Sequence, residues 1–212
     1  MKLWERLKQR KTEPSSDNSD RIMRFFSKTE RMSDNSFRLM NFTFRVVDFI
    51  YPYIDKRVKK FGIEEGMTVV DYGCGPGRYT TRFARCVGEK GRVFAIDIHE
   101  MAVEAVEKKI ADYGFKNVKV ILVSGYDSTL PDGTADVVCA IDMFFIVKKP
   151  ADFLGELRRI LKNDGVLIID DGHQPRSVTK EKILDSGFWD ICEETKDHLK
   201  CKPRRSNNDL SN

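Results

Sequence analysis

From Met67 onward the chain alternates short apolar runs with longer amphipathic ones. Val69–Tyr72, Val93–Ile98, Val118–Val123, Asp136–Ile141 and Val166–Asp170 are rich in Val and Ile, and each is followed by Gly, His, Ser or Asp, the punctuation expected of strands. Between them Arg78–Val87, Met101–Tyr113 and Ala151–Leu161 carry apolar residues at helical spacing, and Thr179–Asp185 adds a shorter helix. Strands separated by helices predict βαβ units, and so an α/β fold with a largely parallel sheet and helices on both faces. Phe188–Thr195 and His198–Pro203 read as two further strands joined by a tight turn, so one strand is expected to run antiparallel.

The segment before this domain follows a different pattern. Residues 21–61 are rich in Phe, Met and Arg. Phe42, Val46, Phe49, Ile50 and Tyr53 fall near helical spacing, with Pro52 placed to break or kink the run. These aromatics either cap the core or form a lid over a substrate site. Residues 1–11 read as a short basic amphipathic helix, with Leu3, Trp4 and Leu7 among Lys2, Arg6, Lys8, Arg10 and Lys11. Such a segment can lie on an anionic membrane surface, fray, or pack on a neighbouring subunit. Residues 12–20 have the polarity of a linker. The expected organisation is a basic arm over 1–20, a helical aromatic-rich cap over 21–61, the α/β domain over 62–204 and a polar tail over 205–212.

Charge sharpens this division. Residues 1–60 carry 15 Lys and Arg against 8 Asp and Glu, a balance of +7, whereas the remainder carries 22 against 25. A near-neutral domain lacks the basic face that nucleic-acid binding needs. No apolar run approaches the roughly 20 residues of a membrane span. The opening Met-Lys-Leu-Trp-Glu-Arg lacks the apolar stretch of a secretory signal. Cys74, Cys86, Cys139, Cys192 and Cys201 form neither a CxxC pair nor a metal-ligand spacing with the three histidines. Their odd number points to free thiols in a reducing, cytoplasmic setting.

The densest chemistry lies between Val69 and Thr80. Two β-branched residues lead to Asp71, then to glycines at 73, 75 and 77, then to a helix start. A turn of this kind brings bare backbone amides against a ligand at a helix N-terminus. A dinucleotide fingerprint fails because Arg78 stands where its last glycine belongs, and no Gly-Lys-Ser/Thr phosphate loop exists in the chain. Asp71, at the strand tip, is placed to meet a cationic group. The pattern Asp-x-Gly-x-Gly-x-Gly resembles the first motif of the class I S-adenosylmethionine-dependent methyltransferases, and the resemblance covers residues 60–204. It implies a Rossmann-like sheet of seven strands with the last inserted antiparallel, and S-adenosyl-L-methionine as cofactor. It also implies a cofactor-binding set of Asp71, Gly73, Cys74, Gly75, Pro76, Gly77 and Thr80. An acid beside glycine amides suits the zwitterionic end of that cofactor, and Cys74 suits the turn by being small.

In an open parallel sheet ligands sit at the carboxyl ends of the strands. The second strand ends in Asp97 and Ile98, with Asp97 20 residues past Gly77. In the family this is the ribose acid, with Ile98 packing on the adenine; the alternative for Asp97 is an N-cap of the next helix. Many relatives carry Gly-Asp-x-x-x-Leu-Pro after the third strand. Counted back from Pro131, that acid's slot holds Tyr126, and Asp127 comes one later. Either Asp127 reaches the adenine or Tyr126 stacks while the backbone reads it. At the end of the fourth strand Asp142 bears on the methionyl end of the cofactor or on the substrate, and Phe144 and Phe145 are core or pocket wall. The Asp-Met-Phe-Phe sequence lacks the Pro-Pro of methyltransferases acting on DNA bases or glutamine. His173, beyond the fifth strand, is a candidate general base if it is not merely solvated.

A sulfonium methyl is already activated, so a methyltransferase needs neither a triad nor a metal. The leading expectation is a small-molecule methyltransferase of the broad group that includes the quinone-biosynthesis carbon methyltransferases, with an apolar or lipid-like acceptor under the aromatic arm. An RNA methyltransferase using the basic arm and a non-catalytic cofactor-binding protein are the alternatives.

Overall fold

The computed structural model describes residues 30–50 and 53–204, with the backbone alone over 45–50. The expected basic helix, linker, Pro52 and polar tail lie outside these residues. Helices α1 (Asp34–Ile50) and α2 (Tyr53–Val58) precede the sheet. There follow β1 (Thr68–Tyr72), α3 (Thr80–Val87), β2 (Arg92–Asp97), α4 (Glu100–Tyr113), β3 (Val118–Leu122) and β4 (Ala135–Ala140). The chain closes with α5 (Pro150–Ile160), β5 (Leu161–Ile169), α6 (Arg176–Asp185), β6 (Trp189–Glu194) and β7 (Leu199–Pro203). A single 3-10 turn at Phe144–Ile146 follows β4.

The seven strands lie in the order β3-β2-β1-β4-β5-β7-β6. All pairings from β3 to β5 are parallel, and β7 is antiparallel to both neighbours. The order reverses between β1 and β4, the switch point where α/β sheets open a crevice.

The period-2 alternation of the strands divides the core. Val70, Ile96, Val138 and Leu167 face α5 and α6, against Phe153, Leu154, Leu157 and Ile183. Val69, Val93, Val137 and Ile168 face α2 and α3, against Ile54, Val58, Phe83 and Val87. Both faces are covered, which is why these strands read as continuous apolar runs. His99 caps α4, its Nδ1 accepting from the Met101 amide at 3.2 Å, and Gly114 ends that helix at φ 69°.

The elements depart from the sequence pattern in places with physical causes. Helix α3 starts at Thr80, since Gly77–Tyr79 still belong to the turn. Strand β5 starts at Leu161, which pairs with Ala135 before the register shifts to Val137 opposite Val166. Helix α6 starts at Arg176, directly after Pro175, whose fixed φ suits a helix entrance.

Candidate active site

The turn between β1 and α3 needs its glycines. Gly73, Gly75 and Gly77 have φ of 75°, 49° and 75°, a region that disfavours any residue with a Cβ. Their amides do not stand bare. Gly73 and Cys74 both donate to the Ile96 carbonyl at 2.8 and 3.0 Å, Gly77 donates to the Cys74 carbonyl at 3.0 Å, and Gly75 donates to Asp97 Oδ2 at 2.8 Å. The turn is therefore tied to the end of β2. What it offers a ligand is close approach rather than free donors. A Cβ on Gly75 would meet nothing within 4 Å, whereas one on Gly73 would lie 2.8 Å from Met143 Cγ and one on Gly77 2.9 Å from Val106 Cγ2. Gly77 is thus the helix-packing glycine, one position before the residue at which the dinucleotide pattern fails.

Beside the turn opens a cleft of about 1030 Å³ counted out to its mouth, open solvent included. Its wall brings together Gly73, Cys74, Gly75, Pro76, Asp97, Ile98, Tyr126 and Asp142 from four strand ends, with Tyr72, Tyr79, Met143, Ile146 and Val147. Asp97 accepts the amides of Gly75 and, at 2.9 Å, of His99, so it pins the turn and starts α4, and each carboxylate oxygen keeps a further lone pair. Burial pushes its carboxyl above the usual range, and the two amide bonds pull against this. His99 is 2 % exposed, and its Nε2 has no hydrogen-bond partner.

The aromatic segment supplies the roof. Phe37, Met40 and Phe44 of α1 line the cleft, while Ile54 and Val58 of α2 sit in the core. Several contacts hold the roof down. Phe37 packs on the His99 ring at 4.6 Å, and Arg78 lies over Phe44 at 4.4 Å. Arg31 pairs with Glu100 at 2.7 Å, and the Tyr126 hydroxyl donates to Glu30.

Other expected residues lie elsewhere. Asp71 is 2 % exposed and faces α3, because the alternation that sends Val69 to that side sends Asp71 there too. It accepts from the Thr80 hydroxyl at 2.5 Å, so both residues join strand to helix beneath the turn and neither lines the cleft. Asp127 accepts from the Thr129 amide at 2.8 Å in its own turn and faces a different groove, which leaves Tyr126 as the residue in the cleft. Gly77 is buried against α4. His173 is exposed on a loop with its ring edge-on to Phe145, away from the cleft wall. Phe145 is buried there, and Phe144 is core. The cysteines are free thiols, and burial pushes that of Cys74 well up, which leaves it an inert wall group.

The sequence pattern passed over Arg57. This guanidinium is 5 % exposed. It donates to Asp170 at 2.6 Å, to the Tyr79 hydroxyl at 2.7 Å and to the Asp197 carbonyl at 2.5 Å. Burial works against its charge, but Tyr79, Asp170 and Asp142 outweigh that and hold it protonated.

Asp71 sets a pH dependence of stability. Burial pushes its carboxyl up to about 7, against the bond from Thr80. A folded value above the unfolded one stabilises most at low pH, and that contribution is lost as pH rises through about 7. Asp71→Asn keeps an acceptor for Thr80 and removes the buried charge. The variant is expected to be more stable than the parent by about 1–2 kcal/mol at pH 8 and to lose that advantage at pH 5. Urea unfolding at both values checks this, and a variant weaker by equal amounts at both would refute it.

Comparison with known proteins follows the same outline. The family model described as a methyltransferase domain matches residues 63–204. The chain is similar to the ubiquinone/menaquinone biosynthesis C-methyltransferase of Marinomonas sp., 27 % identical over 129 residues, covering 60 % of this chain and 51 % of that one. It is also similar to the demethylmenaquinone methyltransferase of Bacillus subtilis, 26 % identical over 124 residues, covering 57 % and 52 %. The chain spans about half the length of these curated relatives. Among solved structures, a SAM-dependent methyltransferase from Aquifex aeolicus superposes with a TM-score of 0.62 at 31 % identity, over 70 % of this chain and 86 % of that one.

Proposed function

The chain belongs to the methyltransferase-domain family, as a class I S-adenosyl-L-methionine-dependent member, and on that premise we propose that it methylates a small apolar or lipid-like acceptor in the cleft beneath α1. The observation that carries this reading is the division of the cleft wall. One end holds the glycine turn, Asp97 and Asp142, and Phe37, Met40, Phe44, Met143, Ile146 and Val147 supply an apolar stretch of the wall, with Glu30, Arg31, Arg78 and His99 also lining the cleft.

The residues present fit the cofactor. Gly75 borders open space where a side chain would stand. Asp97 has lone pairs left for hydroxyl donors, and His99 Nε2 is a buried polar atom with no hydrogen bond, Asp34 Oδ1 lying 3.6 Å away. Ile98 and Tyr126 offer flat surfaces for a base, and the rings of Tyr72, Tyr79 and Phe44 suit a cation. When bound, the cofactor supplies a methyl group already activated by its sulfonium.

The work of the chain is then to position and to exclude water. Gly73–Pro76 and Asp97 bind and orient the donor, Ile98 and Tyr126 pack its base, and Asp142 faces its methionyl end. The roof of α1 keeps the acceptor dry and in line for transfer. Asp142 lines the cleft and His173 does not, which supports Asp142 as the group that takes a proton from the acceptor where one must leave. Leu39 and Phe42 are 68 % and 67 % exposed on α1, and residues 1–60 are basic. These features support a cytoplasmic protein that meets its acceptor at a membrane surface. No described helix is long and apolar enough to cross one.

The test is incubation with methyl-labelled S-adenosyl-L-methionine and a cell extract, then separation into lipid, RNA, protein and small-molecule fractions. Label is expected in the organic-extractable lipid fraction. Label in RNA or protein would overturn the acceptor class, and cofactor binding without transfer to any fraction would overturn catalysis.

A further inference from the structure

Asp142 follows β4 with φ 59°, one of two non-glycine residues at positive φ among the described residues. Such a conformation persists only where the surroundings over-determine it, and it collects at functional sites. Here the surroundings are specific. Asp170, beyond the end of the adjacent β5, accepts the Asp142 amide on Oδ1 at 2.9 Å and receives Arg57 Nη2 on Oδ2 at 2.6 Å. Arg57 Nη1 lies 3.7 Å from Asp142 Oδ1. The guanidinium is fixed in turn by the Tyr79 hydroxyl and by the Asp197 carbonyl in the β6–β7 turn. Tyr79 and Asp197 thus fix Arg57, and Arg57 and Asp170 together meet Asp142.

That residue stands at a junction. The Asp142 side chain is 46 % exposed and lines both the main cleft and a second, polar cleft of about 660 Å³ counted out to its mouth. The second cleft runs from β4 toward Tyr53, Asp171 and Lys196 and shares Arg78, Tyr79 and Asp142 with the first. A buried pair serving the fold alone would have no need to bend its neighbour into the left-handed region.

We propose that Arg57 is a positioning residue which, through Asp170, holds Asp142 at the junction of the two clefts, facing the methyl donor on one side and the acceptor's approach on the other. This deepens the reading of the main cleft as the cofactor site and rests on it. Burial and the neighbouring Asp142 push Asp170 up, and the Arg57 guanidinium pulls it back toward the carboxylate that accepts the Asp142 amide.

Calorimetric binding of S-adenosyl-L-methionine, with thermal melts of the same proteins, tests the proposal. Arg57→Lys keeps a positive charge beside Asp170, so the fold survives, but one ammonium cannot span Asp170, Tyr79 and Asp197 together. Its Kd is expected to rise about tenfold, as in Asp142→Asn, and the double variant to bind no more weakly than either single one. Asp142→Gly is expected to melt higher than the parent, because it relieves the strained φ, while binding the cofactor as weakly as Asp142→Asn. Additive losses, an Arg57→Lys variant that melts lower with Kd unchanged, or an Asp142→Gly variant that gains no stability would overturn the proposal while leaving the cofactor reading intact. A parent protein that does not bind the cofactor would sink both.

Discussion

Gly75→Val is expected to raise the Kd for S-adenosyl-L-methionine by about 100-fold or more while the protein stays folded. Of the three glycines in the turn, Gly75 is the one whose replacement meets no protein atom. A Cβ there has nothing within 4 Å, and the residue lines the cleft. The isopropyl group would occupy ligand space. The cost to the free protein is confined to placing a β-branched residue at φ 49°, about 1–2 kcal/mol. Gly73 and Gly77 differ, since added methyl groups there strike Met143 and Val106 and disturb the fold itself. Titration calorimetry beside circular dichroism separates the two effects. An unchanged Kd in a folded Gly75→Val variant would mean that the cofactor does not lie over the turn.

The same turn shows why the sequence was legible for the fold and less so for the site. Strands and helices declared themselves because a sheet covered on both faces demands Val and Ile runs, cut by glycines at positive φ. The ends of those runs carried Asp97, Ile98, Tyr126 and Asp142 into one cleft, since strand ends at a switch point converge whatever the substrate. Asp71 suggests a ligand group because it precedes the glycines. Yet Val69 and Asp71 are two residues apart on a strand and must share a face, so the alternation already put Asp71 under α3.

Arg57 hides for the opposite reason. It sits within Lys56-Arg57-Val58-Lys59-Lys60, a run that looks solvated. Its helical position tells otherwise: Ile54, Arg57, Val58 and Phe61 fall at the spacing of one face, and all four are buried. Tyr126 and Asp127 differ by one residue of loop register, which only the chain's path resolves. His173 stands out by residue type alone, and nothing in the periodicity aims it inward.

Trp189→Ala is expected to cost about 3–5 kcal/mol and to lower the melting temperature by roughly 10 °C in a domain of this size. Trp189 is fully buried at the start of β6, and its indole nitrogen donates to the Leu154 carbonyl of α5 at 3.2 Å. Truncation leaves a cavity and removes the indole's bond to that carbonyl. The position is far in sequence from the glycine turn, but it anchors the hairpin whose turn presents the Asp197 carbonyl to Arg57. The loss should therefore be global rather than local. Below the lowered transition, Kd for S-adenosyl-L-methionine should stay within about twofold of the parent, because the folded geometry around Arg57 is unchanged. Thermal melts with binding measured at low temperature check both halves. A loss under about 1 kcal/mol would show that the edge of the sheet is not part of the cooperative core, and a large rise in Kd at low temperature would show that the β6–β7 turn moves independently of it.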